Sequence, residues 1–173
     1  MNYSYNNENQ SIFKTNLFQI TLLSTFAFLV PIVFSQITLF PNQLLIGTIV
    51  NALLVYSALK YNLSKSLPII LLPSIGTVVS GIVFGQFSFF LLYLIPAIWL
   101  GNLTLWYFVN KYSEKRVFCT ITASVTKTIV IFGSTLVLYL FSIIPKMFLI
   151  PMSLIQLVTA LCGCTIVFLF VKI

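Results

Sequence analysis

Histidine is absent from this sequence, and Asp and Glu together number two, against nine Lys and Arg. Without histidine there is no His-based catalytic triad and no imidazole metal ligand. The two acids, Glu8 and Glu114, lie in polar stretches, so no carboxylate pair can form within the apolar segments. Cysteine is sparse and odd in number. Cys119, Cys162 and Cys164 lie in or beside apolar runs, and their spacing fits neither a CxxC redox site, a zinc site nor a disulfide framework. They read as small apolar filler. There is no GxxxxGK[ST] phosphate-binding loop, so the chain cannot drive itself with a nucleotide through that motif. Charged residues make up 6% of the chain, against about a quarter in a soluble domain. These absences leave no expected catalytic residue, cofactor or metal, and the chain is expected not to be an enzyme.

What is present is apolar length. Hydrophobic residues make up 60% of the 173 residues and mean hydropathy is +1.09. A bilayer core of ~30 Å needs about 20 helical residues. Six segments meet that length, at about 15–35, 43–60, 67–85, 88–110, 118–143 and 152–171. They are too long and too continuously apolar for the alternating strands of a membrane barrel. The expected fold is all-α: a polytopic bundle of six transmembrane helices over 14–173, preceded by a disordered polar tail over 1–13. The first helix lacks the basic start and cleavage site of a secretory signal and is expected to be retained.

Turn chemistry marks the breaks. Pro41 and Asn42 separate the first two helices, Ser66 with Pro68 reads as a helix start, and Gly85-Gln86 reads as a tight turn. Pro145 and Pro151 bracket the last connection. Pro31, Pro73 and Pro96 fall inside spans, where neighbouring helices can satisfy the carbonyls they release. The formal charge of +7 would suggest nucleic acid in a soluble protein. Here the basic residues occupy short gaps between apolar runs, which is a topology signal, and no nucleic-acid partner is expected. Lys14, Lys60, Lys65, Lys111, Lys115, Arg116 and Lys172 fall on one side of a six-span layout, and Lys146 alone on the other. The bias predicts that both termini are cytoplasmic, in a multi-pass protein of the cell membrane.

Lys127 is the basic residue left over. It lies nine residues past Phe118, about 14 Å along a helix, too deep to snorkel easily. A lysine there costs about 2.5–3.5 kcal/mol on insertion scales. Three arrangements can relieve it: a neutral amine, a water-filled cavity lined by carbonyl dipoles, or an anion from outside the chain. Intramembrane ionisable residues usually mark a pathway or a site; the plainer alternative is a solvated lysine without a task. Thr120, Ser124, Lys127 and Ser134 fall near one helical stripe, opposite Val125, Ile129, Phe132 and Leu136, so the stripe should face the bundle interior.

Other spans supply uncharged polar groups. Asn51 is midway along the second helix, with Gly47 and Ala58 near its face. Asn102 lies in the fourth, between Trp99 and Trp106. Gln156 lies near the outer end of the sixth, with Ala160 and Gly163 on its face. Amides in lipid find hydrogen-bond partners, so helix-to-helix bonding is one reading. A pocket is the other, with Lys127, Asn51, Asn102 and Gln156 as polar contacts and Trp99 as a stacking surface. Trp106 suits an interfacial aromatic belt. Ser74, Thr77 and Gly81 form a small-residue strip suited to packing.

Six short helices, cytoplasmic termini and this chain length resemble the substrate-binding S components of energy-coupling factor (ECF) transporters. The stretches "IGTIVNALL", "LLPSIG", "YLIPAIWLGN" and "QLVTALCG", with the lysine in span five, are also similar to a group of small bacterial membrane proteins sometimes labelled "iron hydrogenase". Iron–sulfur clusters need a cysteine framework that this sequence does not have. The ECF resemblance implies a bacterial inner-membrane protein that captures a vitamin-like or anionic nutrient, and a coupling transmembrane subunit with ATPases as partners. In that family small residues four apart on the first helix receive the coupling subunit; the nearest equivalents here are Thr21 and Thr25. The alternatives are a structural or assembly subunit, in which Lys127 pairs with a partner chain's acid, and a lysine-dependent membrane enzyme.

Overall fold

The computed structural model describes residues 2–36 and 42–171, with side chains from Leu17 onward. Regular structure among these residues is helical throughout. The six helices are α1 (Asn2–Phe34), α2 (Asn42–Lys60), α3 (Leu63–Ser80), α4 (Leu91–Tyr112), α5 (Arg116–Leu140) and α6 (Gln156–Phe170). A 3-10 segment, Gly85–Phe90, leads into α4; a 3-10 turn, Lys146–Phe148, and a π-helical turn, Pro151–Ile155, lead into α6. With these lead-ins, six helical stretches are long and apolar enough to cross a membrane, the first of them being Leu17–Phe34. Only helices can do this as single segments, because each backbone N–H and C=O must be satisfied within the segment. The side chains of the polar stretch over 1–13, Pro41 and Lys172 lie outside the described residues.

Local chemistry sets the helix ends. α3 starts earlier than Ser66 and Pro68 suggest. Asn62 is its N-cap, and its side-chain oxygen accepts from the Lys65 backbone N–H at 3.2 Å. A carboxamide satisfies that N–H more directly than a downstream proline can. Ser66 instead lies inside α3 and donates to the Ser57 carbonyl at 3.4 Å, tying α3 to α2. At the other end Gly81 (φ 64°) and Gly85 (φ 56°) hold left-handed conformations on either side of the link to α4, which glycine adopts without a Cβ clash.

α2 packs on α1, α3, α4 and α6, and α5 lies between α4 and α6. Cross-helix bonds fix the relative directions. Tyr61 donates to Gln19 Oε1 at 3.0 Å, and Asn110 Nδ2 donates to the Ala58 carbonyl at 3.0 Å. Arg116 Nη1 donates to the Phe168 carbonyl at 2.7 Å, covering the last turn of α6. These bonds gather the ends of α2, α4 and α6 with the start of α5 at one end of the bundle. Lys60, Lys65, Lys111, Lys115 and Arg116 lie there too, so it is the basic end. At the opposite end, Gln43 Nε2 of α2 donates to the Val83 carbonyl past α3 at 3.4 Å.

Two apolar clusters fill the interior. One includes Leu54, Val55, Leu105, Val109, Ala123 and Cys164. The other, near the opposite end, includes Leu91, Leu94, Ile131, Phe148 and Met152. Along α4 and α5, Asn102 and Lys127 fall between the residues of the two clusters. The outer face of α5 carries exposed Val125, Ile129 and Leu136, as its periodicity predicts, while Phe132, expected with them, is half-buried. Its buried stripe is Cys119, Ala123, Ser124, Lys127, Ile131 and Thr135. Ser134 and Thr120 are only half-buried; Ser134 satisfies its hydroxyl on the Val130 carbonyl of its own helix at 2.9 Å and needs no interior partner.

Candidate functional site

The middle layer of the bundle is built by close helix approaches. At Gly101 of α4, an added Cβ would stand 2.5 Å from Ile131 Cγ1 and 3.4 Å from Lys127 Cγ. Glycine at this position lets α4 lie against α5 with Ile131 seated on it, and the approach brings the neighbouring Asn102 to Lys127. At Gly163 of α6, an added Cβ would stand 2.6 Å from Asn51 Cβ. That contact seats α6 on α2 and brings Thr159, one turn earlier, to Asn51. Small residues give such approaches in membranes, where no hydrophobic force drives helices together.

Lys127 is 2% exposed. Its Nζ donates to Asn51 Oδ1 at 2.5 Å and to Asn102 Oδ1 at 2.8 Å. Each carboxamide is oriented by what its nitrogen does. Asn51 Nδ2 donates to Thr159 Oγ1 at 3.2 Å, and Asn102 Nδ2 donates to the Ile70 carbonyl of α3 at 3.0 Å. With the nitrogens engaged elsewhere, both oxygens face the amine. Five helices thus converge on one amine: α5 supplies it, α2 and α4 receive it, and α6 and α3 orient the receivers. Both bonds go to dipoles. Glu114, in the connection between α4 and α5, is exposed.

A cavity of about 100 Å³ adjoins this cluster. Lys127, Asn51 and Asn102 line its inner end, and Gln43, Val83, Phe84 and Gln156 line it toward the end opposite the basic one. Its remaining walls are mostly aliphatic. Phe84 also packs on Phe148 of the α5–α6 connection, with ring centroids 4.8 Å apart. The two connections therefore meet beside the mouth.

Four of the five sequence-predicted site residues share this cavity: Lys127, Asn51, Asn102 and Gln156. Trp99 stands apart from the lining. Its indole N–H donates to the Leu71 carbonyl at 3.1 Å and to Ser74 Oγ at 2.7 Å, which joins α4 to α3 behind the cavity wall. Trp106 is not part of an interfacial belt. It is 6% exposed, because it shares the inward face of α4 with Asn102, Leu105 and Val109. Ser74 and Thr77 line the cavity as well as packing α3. Thr159 and Gly47 complete the lining. The signal for Thr159 is its place one turn after Gln156, on the face that Ala160 and Gly163 mark as inward. Comparison of the chain with protein-family models, with characterised proteins and with solved structures found no match.

Proposed function

We propose that the chain is the substrate-binding membrane subunit of a small-molecule importer, of the ECF S-component kind, and that its ligand is a small anionic nutrient. The carrying observation is the buried amine of Lys127, held by two carboxamide oxygens at the floor of a cavity. Dipoles steady an ammonium without cancelling its charge, so the site keeps an attraction for an anion that a carboxylate partner would have removed. The Lys/Arg bias favours both termini in the cytoplasm. In that orientation the cavity opens to the outside, as capture of an external nutrient requires. Gln156, Gln43 and the aliphatic walls receive the rest of the ligand. Release inward, if ATP-driven, falls to a coupling subunit and ATPases.

Burial favours this reading over an assembly subunit. At 2% exposure the amine lies out of lateral reach of an acid on a neighbouring chain. The test is purification in mild detergent followed by mass spectrometry of retained small molecules, for wild type and Lys127→Met. The expected result is an anionic molecule retained by wild type and lost from the variant. Equal retention by a folded variant refutes the assigned site. Protein adducts from a crosslinker at position 127, with no retained small molecule, would favour assembly.

A further inference from the structure

We infer that the ligand is a monocarboxylate with an apolar body and no amine beside its carboxyl group. This deepens the reading of the cavity as a ligand site and rests on it. The argument is an inventory of what the cavity offers.

Lys127 is the one charged side chain among the described lining residues. An ammonium has three N–H groups; two go to Asn51 and Asn102, which leaves one for a ligand. The lining hydroxyls direct their protons back to the backbone of their own helices. Thr77 Oγ1 donates to the Pro73 carbonyl at 2.9 Å, Ser74 Oγ to the Leu71 carbonyl at 2.8 Å, and Thr159 Oγ1 to the Gln156 carbonyl at 3.2 Å. The inner end therefore presents a positive donor as its principal charged feature, and the group that docks there is an acceptor of charge −1.

The same inventory excludes other anions. A second carboxylate would enter a cavity with no second cation to receive it, among walls such as Ile46, Val50, Ile95, Ile98, Met152 and Ile155; an unpaired charge in such surroundings is strongly disfavoured. An α-amino acid carries its ammonium within one carbon of its carboxylate. That ammonium would lie beside Lys127, and the two oxygens best placed to accept from it, Asn51 Oδ1 and Asn102 Oδ1, already accept from Lys127. Like charges so juxtaposed discriminate strongly against a ligand. Gln43 and Gln156, nearer the mouth, leave room for one uncharged polar group at the ligand's far end. Asn51 and Asn102 thus act as positioning residues that aim the amine.

Matched probes test the inference on the purified full chain in mild detergent. Each set shares a body and differs in charge: 4-methylpentanoate, leucine and 2-methylglutarate, then 3-phenylpropanoate and phenylalanine. Equilibrium binding is read by dialysis of labelled probes. The expected result is that a monocarboxylate binds at least tenfold tighter than its amino-acid or diacid counterpart, and that Lys127→Met loses this preference. The wild-type comparison stands even where the variant does not fold. Equal or tighter binding of leucine, phenylalanine or the diacid overturns the monocarboxylate class and leaves the ligand site intact. So does a co-purified ligand that is zwitterionic or doubly charged. No binding of any probe, together with no co-purified small molecule, overturns both the class and the site.

Discussion

The cluster around Lys127 makes a prediction about stability that needs no knowledge of the ligand. Replacing both Asn51 and Asn102 by leucine removes the two acceptors of a side chain that is 2% exposed. Hydrogen bonds to a charged group contribute about 1.5–3 kcal/mol each in soluble proteins, and side-chain bonds within membranes average nearer 0.6 kcal/mol. Two bonds lost from one buried ammonium should therefore cost about 2–4 kcal/mol. Lys127→Met has the opposite character. It removes the charge and keeps most of the apolar stem, and the two carboxamides still hold Thr159 and the Ile70 carbonyl, but their oxygens lose a donor. What is left unpaired is neutral, so the substitution should cost about 1–3 kcal/mol. The triple variant has no buried charge left without acceptors, so it should be more stable than the double variant by at least half of what the double lost. Helicity followed by circular dichroism, as denaturing detergent is titrated into mixed micelles, gives the four stabilities. If the triple variant is as unstable as the double, or less stable, the amine is not held by these carboxamides and the account of the site fails.

Two further outcomes follow from particular contacts. Gly163→Ala places a methyl 2.6 Å from Asn51 Cβ and 2.8 Å from the Ala52 backbone nitrogen; the backbone cannot yield, so the change should destabilise by about 1–3 kcal/mol in the same titration. Gly133→Ala meets nothing within 4 Å and should be neutral or stabilising by up to about 1 kcal/mol, which separates the close approach from helix propensity. Orientation can be read with an impermeant thiol reagent on cells, with Cys162, the exposed native cysteine, replaced by serine. Met147→Cys should be labelled from outside and Lys115→Cys only after lysis; the reverse pattern would turn the cavity mouth toward the cytoplasm.

The six spans and the polar layer were legible for the same reason. In a bilayer the length of an apolar run sets how many times the chain crosses, and the position of a polar residue within its run sets its depth. Asn51, Asn102 and Lys127 each stand near the middle of a run, so they had to meet any interior layer at similar height. Depth does not say which helices are neighbours. That depended on Gly101 against Ile131 and Gly163 against Asn51, approaches that no periodicity displays. Hence nothing in the sequence pairs Thr159 with Asn51. The central place of Trp99 suggests the pocket, yet its indole N–H turns to α3. Pro68 suggests a later start for α3 than Asn62, whose side chain does the capping.

The scarcity of acid in the chain and the form of the site are two sides of one physical choice. A carboxylate across from Lys127 would neutralise the ammonium within the protein and close the site to anions. Carboxamides do something different. Each offers an oxygen that lowers the cost of the charge, yet the layer between the two apolar clusters retains a formal charge of +1 whenever the amine is protonated. Under the proposed reading a monoanion arriving from the cavity would complete the neutralisation, and its apolar body would continue the aliphatic walls. A neutral ligand would leave the layer charged, and a dianion would reverse its sign. The affinity of such a site comes mainly from discharging a penalty that folding leaves in place. It follows that ligand binding should stabilise the fold, and that the gain should vanish when Lys127 is replaced by an uncharged side chain.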